Sequence, residues 1–148
     1  MSRQFLFAVA IVLFCAGPAD AATCTISTTS VSFGTYSVFW ATPTDSAGNI
    51  TYRCNGNANV LITISAGQSG TFNPRTLVKA SEQLSYNLYL DAARNMVWGD
   101  GTLGTLIYTR INVPNNTNVT VPVYGRIPAA QDNTAGAYSD SVSVTINF

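Results

Sequence analysis

From Tyr138 to Phe148 the residues of one parity are Tyr138, Asp140, Val142, Val144, Ile146 and Phe148, and between them stand Ser139, Ser141, Ser143, Thr145 and Asn147. A period of two over this length fits a β-strand, whose successive side chains point to opposite faces, and does not fit one face of a helix. One face is largely apolar and the other polar, so the strand must be buried on one side only. The sequence offers no later strand to pair with it. An apolar strand with an open edge invites aggregation. The expectation is therefore that either the rest of the chain covers it or another chain does.

The same alternation recurs upstream. Cys24 and Ile26 open a strand that Val31 and Phe33 continue after a threonine-rich kink. Ile50, Tyr52 and Cys54 alternate with Thr51 and Arg53, and Val60, Ile62 and Ile64 follow after Asn55-Gly56-Asn57, a turn compatible with a hairpin. Leu84, Tyr86, Leu88 and Leu90 form a further strand, and Leu106 to Val113 another, closed by Pro114-Asn115-Asn116. Val119, Val121 and Val123 make the next, where Pro122 points to an edge or a bulge. Asp91 to Met96 has room for one helical turn. Short strands at regular spacing, separated by Gly, Asn and Pro turns, predict an all-β fold, an antiparallel sandwich.

At the other end, Arg3 precedes an uncharged apolar run from Phe5 to Ala16, and Pro18 and the small residues Ala19 and Ala21 follow. This reads as a secretory signal over residues 1–21, cut after Ala21. The run is shorter than the roughly 20 apolar residues a membrane span needs. Cys15 leaves with the signal, and Phe14 before it argues against lipid attachment. Removing 21 of 148 residues leaves 127, residues 22–148, enough for one domain with one core. Seven basic and seven acidic residues in the precursor give no net charge. That composition argues against a nucleic-acid partner and against binding an anionic membrane. It also favours self-association.

Two cysteines survive cleavage, Cys24 and Cys54. In an exported chain their default state is a disulfide. It would close a loop of about 30 residues, stabilising the fold by roughly 3.5 kcal/mol on the chain-entropy account. A metal pair or a catalytic thiol is the rival reading, and the chain has no histidine to assist either. The same lack removes every Ser-His or Cys-His nucleophile. Glu82, the sole glutamate, sits beside Ser81 and near Lys79 in a stretch that reads as a solvated loop. Asp91, Asp100, Asp132 and Asp140 lack the spacing of a calcium loop. The expectation is a protein without catalytic residues, metal or cofactor.

Several segments carry a resemblance. Phe33-Gly34-Thr35-Tyr36, Ala41-Thr42-Pro43-Thr44-Asp45, Tyr86 to Arg94, Val97-Trp98-Gly99-Asp100-Gly101, Val123 to Pro128 and the ending Gly136 to Phe148 together resemble the spore coat protein U domain. That family is shared by a bacterial spore coat protein and by subunits of archaic chaperone–usher pili of the Csu type. The resemblance runs from about Cys24 to Phe148. In the pilus branch it implies an immunoglobulin-like sandwich lacking its final strand. A periplasmic chaperone lends that strand first, and a neighbouring pilus subunit then replaces it at an outer-membrane usher.

On this reading Tyr138, Val142, Val144, Ile146 and Phe148 line or flank the groove taken by the donor strand and the chaperone. The alternative is an ordinary core strand. The resemblance also implies export to the periplasm and then to the cell surface. Cleavage after Ala21 would leave only Ala22 and Thr23 before Cys24, too few to donate a strand. The expected place of such a subunit is therefore the fibre tip. Where the family usually has a polar or proline-containing loop, this chain has Ser37-Val38-Phe39-Trp40. Val38, Phe39 and Trp40 are either an exposed adhesive loop or a flap buried over the sandwich end. Trp98 reads as packing. A spore or cell coat protein that forms no fibre is the alternative function.

Overall fold

The computed structural model describes residues 22–148; the expected signal segment, residues 1–21, lies outside the described residues. Among the described residues eight strands form: β1 Thr23–Thr29, β2 Thr44–Asn55, β3 Val60–Ile64, β4 Arg75–Lys79, β5 Glu82–Tyr89, β6 Tyr108–Arg110, β7 Val119–Ile127 and β8 Val144–Asn147. They build a five-stranded sheet in the order β1-β2-β7-β5-β4 and a three-stranded sheet in the order β6-β3-β8. Every strand ladder is antiparallel.

The inward parity of each strand makes the core. Ile50, Tyr52 and Cys54 on β2, Leu84, Tyr86 and Leu88 on β5, and Val119, Val121, Val123 and Ile127 on β7 pack against Val60, Ile62 and Ile64 on β3. Trp98 is fully buried and donates its indole N–H to the Ile62 carbonyl at 2.9 Å, so it packs as its surroundings in the sequence suggest. Two glycines let elements approach closely. A Cβ on Gly48 of β2 would strike the Thr29 carbonyl, and one on Gly125 of β7 would meet the Phe33 and Val31 side chains.

Several local expectations are corrected. Asn55-Gly56-Asn57 does not close a hairpin: β2 and β3 belong to different sheets, so this turn carries the chain across the sandwich. Lys79 to Glu82 is not a solvated loop. Lys79 pairs with Glu82 at the tight end of a β4–β5 ladder, and β4 is a strand the alternation did not announce. Val31 and Phe33 pack on the core but stand outside any ladder. The strand expected over Leu106–Val113 shrinks to Tyr108–Arg110. At Pro122, β7 pairs with β2 alone, because β5 reaches only Tyr124 to Arg126. The missing N–H there breaks no ladder with β5.

The alternating stretch from Tyr138 to Phe148 is split between the two sheets. Ser139 exchanges backbone hydrogen bonds with Val78 of β4, at 2.8 and 3.1 Å. The chain then crosses, and β8 pairs with β3, Ile64 opposite Val144 and Ile62 opposite Ile146. Asp140 pins the crossing. Its carboxylate accepts the Gln68 and Ser141 N–H groups, each at 2.8 Å, and the Tyr86 hydroxyl at 2.7 Å.

Candidate functional site

Where the sheets part, the sandwich is open. A trough runs between the segment 30–38 on one side and the segment 133–144 on the other. Its lower part, about 310 Å³, has Ile50, Ile64, Leu88 and Val123 in its floor, with Val31, Phe33, Val142 and Val144 on its walls. The wider part, about 960 Å³, is lined by Tyr36, Val38, Leu84, Ile127 and Tyr138 among others. The two share Ser30, Val31, Phe33, Leu77 and Asp140, so they form one continuous cleft.

Neither β8 nor the segment facing it across the cleft has a strand on both sides. β8 is an edge strand, paired with β3 only, so its outer N–H and C=O groups face the cleft side without a ladder. Residues 30–37 belong to no strand. They are held by side chains instead: Tyr36 donates to the Pro128 carbonyl at 3.2 Å and accepts the Gln131 N–H at 2.9 Å, while Ser46 donates to the Ser32 carbonyl.

The flank of β5 beyond the end of β7, by contrast, is covered. The Gln131 side-chain amide pairs with both the N–H and the C=O of Ser85, at 2.8 and 2.9 Å, standing in for a strand. Asn133 donates to the Gln83 carbonyl at 2.7 Å, and Lys79 donates to Thr134 Oγ1 and the Ala135 carbonyl at 2.9 and 2.6 Å. The Tyr138 and Thr134 hydroxyls both donate to Glu82. These bonds, Thr134's first, hold the Glu82 carboxyl below its ordinary range. Burial, with the bond to Asp140, pushes the Tyr86 hydroxyl far up. The protein thus covers the flank of β5 that β7 does not reach and leaves the edge at β8 bare.

Of the residues singled out from the sequence, Tyr138, Val142 and Val144 line the cleft. Ile146 lies on the same face of β8, further along, packed against the core. Phe148 is 54% exposed. The Ser37–Trp40 segment is a turn, with the Trp40 N–H bonded to the Ser37 carbonyl at 3.1 Å. Phe39 is 92% and Trp40 45% exposed, so this turn is not a buried flap, although Val38 lines the wide end of the cleft.

Cys24 and Cys54 are direct cross-strand partners on β1 and β2 and are joined by a disulfide. Replacing either with serine is expected to remove about 3.5 kcal/mol of stability, read as a lower urea midpoint. Two free thiols in the oxidised wild-type protein would contradict it.

Sequence reasoning missed Arg75. It is fully buried and donates through Nε and Nη2 to the Ser65 carbonyl at 3.0 and 2.9 Å, through Nη2 to the Trp98 carbonyl at 2.7 Å, and through Nη1 to Asn87 Oδ1 at 2.7 Å. Burial depresses its pKa, against the opposing fields of Tyr86, Asp140 and Asp100. The motifs that carry the resemblance meet elsewhere, around Asp45. Arg126 bonds it through two nitrogens at 2.7 and 2.8 Å, and Arg94 approaches to 3.2 Å. These bonds, that of Arg126 foremost, lower the Asp45 pKa.

An antiparallel sandwich with an apolar cleft open beside the β8 edge defines the class: an immunoglobulin-like domain. The Spore Coat Protein U domain family matches residues 10–145, and the chain belongs to that family. It is 30% identical over 109 residues to Protein U of Myxococcus xanthus, an alignment covering 68% of this chain and 59% of that protein. Its fold is similar to a chain of the CsuC–CsuE chaperone–tip adhesion subunit pre-assembly complex from the archaic chaperone–usher Csu pili of Acinetobacter baumannii. The TM-score is 0.60 and the identity 23%, over 86% of this chain and 40% of that one. The chain therefore spans less than two thirds of either relative.

Proposed function

We propose that this protein is a secreted structural subunit of a surface fibre of the archaic chaperone–usher type, and that its cleft accepts a β-strand from another chain. The cleft is the observation that supports this most. It has an apolar floor, a bare strand edge along β8, and a facing wall, residues 30–37, that forms no ladder of its own. An extended segment laid there would add main-chain hydrogen bonds to β8 and send alternate side chains into the two cavities. The partners on this reading are a periplasmic chaperone, an outer-membrane usher and neighbouring subunits. Residues 1–21 are a cleaved leader, and residues 22–148 the single exported domain. No helix among the described residues is long and apolar enough to cross a membrane.

The turn at Phe39 and Trp40 supports a contact role at the fibre tip, since two exposed aromatic rings side by side mark an interaction surface. Catalysis has no place in this reading: the chain has no histidine, and the buried Arg75 is spent on structural carbonyls. A coat role without a fibre is favoured by the family's own name, and the same experiment separates the two. Mature chain expressed alone in a periplasm should aggregate or be degraded. Fusing an alternating apolar–polar segment after Phe148 through a short linker should yield soluble monomer, because strand addition becomes intramolecular. A chain that melts cooperatively as a monomer alone and gains nothing from the added strand would overturn the fibre reading.

A further inference from the structure

We infer that the strand received by the cleft carries a lysine or arginine at the one inward position facing Asp140. The inference rests on the strand-accepting reading above and adds the chemistry of the partner. Asp140 lines both parts of the cleft and, among the described residues, is the only charged one lining either. It stands where they join, at the crossing from the β4 edge to β8. Three neutral donors hold its carboxylate, the Gln68 N–H, the Ser141 N–H and the Tyr86 hydroxyl. An ionised carboxylate has about four acceptor positions, so one stays open.

Neutral donors stabilise the charge without cancelling it. Both ion pairs among the described residues centre on Asp45, and Asp140 takes part in neither. Arg75 feels the field of Asp140, but its own hydrogen bonds go to Ser65, Trp98 and Asn87. An incoming strand with apolar residues at every inward position would strip water from this carboxylate and return nothing, which is strongly unfavourable. A cation at that position replaces the water, fixes the register of the strand and penalises partners with an acidic or apolar residue there.

The test uses the chain with a Val/Thr alternating donor segment fused after Phe148. Lysine is walked through the inward positions, with methionine at each as a neutral control of similar length. At one position lysine should raise the melting temperature by about 3–8 °C over methionine, and aspartate there should lower it. The gain should shrink in 1 M salt, since screening acts within about 3 Å, and should vanish in Asp140→Asn. The lysine–methionine comparison decides by itself if that variant fails to fold. If lysine is worse than methionine at every position while the fusions remain soluble, Arg75 already balances Asp140. The inference is then overturned and the cleft still accepts strands. If no donor segment of any composition improves solubility or melting, the strand-accepting reading fails and takes the inference with it.

Discussion

Arg75→Ala is expected to cost the folded protein about 4 kcal/mol, because it leaves buried and part-buried acceptors without their donor. The guanidinium supplies four hydrogen bonds to three oxygens: the Ser65 and Trp98 carbonyls and Asn87 Oδ1. Asn87 Oδ1 keeps the Leu88 N–H at 3.0 Å, so the two carbonyls bear most of the loss. Each buried acceptor left without a partner costs about 1–3 kcal/mol, and the emptied volume beside Phe72, whose ring lies 5.1 Å from the guanidinium carbon, adds a cavity term. Relief of the guanidinium's desolvation offsets part of this. Against a total stability of about 5–15 kcal/mol for a domain, the loss is a large fraction.

Arg75→Lys keeps the charge but not the planar fork that reaches three acceptors in different directions, so it should recover less than half of the loss. Urea midpoints of the donor-fused chain measure both variants. An Arg75→Ala midpoint within about 1 kcal/mol of the parent would mean that the cluster contributes little to the fold.

Arg75 also marks the limit of what the sequence discloses. The inward parity of β2, β3, β5 and β7 is plain from the residues, since each strand is half-buried and keeps its period of two. β4 carries the strand formers Thr76 and Val78, yet it begins with Arg75 just after Pro74 and ends with Lys79, which disguises it as loop. Whether a buried arginine finds carbonyls to bond depends on Ser65 and Trp98, 10 and 23 residues away, and no local pattern encodes that. The cleft was legible only in half. Alternation gave its β8 wall, but the other wall, Val31 and Phe33, has the same pattern and forms no ladder, because only tertiary placement decides whether a partner strand is present. The crossing at Asp140 was hidden for a related reason: a strand changing sheets keeps its parity. The single charged residue in the alternating stretch was the clue.

On the proposed strand-accepting reading, Val144→Asp should abolish capture of the chain by a co-expressed chaperone, as should Ile146→Asp, whereas Thr145→Asp should leave it within about twofold. Val144 lies opposite Ile64 and lines the cleft. Ile146 lies opposite Ile62 on the same half-buried face, while the Thr145 side chain between them is exposed. A partner strand laid against β8 completes the burial of the first two and leaves the third in water. A carboxylate trapped there has no cation among the residues that form the cleft floor. Even about 3 kcal/mol of penalty lowers affinity by more than 100-fold.

Loss of capture through misfolding is separated from loss of the interface by Val144→Thr. It keeps the shape, adds a hydroxyl and should retain part of the binding, since a hydroxyl costs far less to bury than a charge. Co-purification of the chaperone with Val144→Asp at wild-type yield would place the partner elsewhere than the β8 edge. Loss with Thr145→Asp as severe as with Val144→Asp would show that the polar face of β8, and not the cleft, meets the partner.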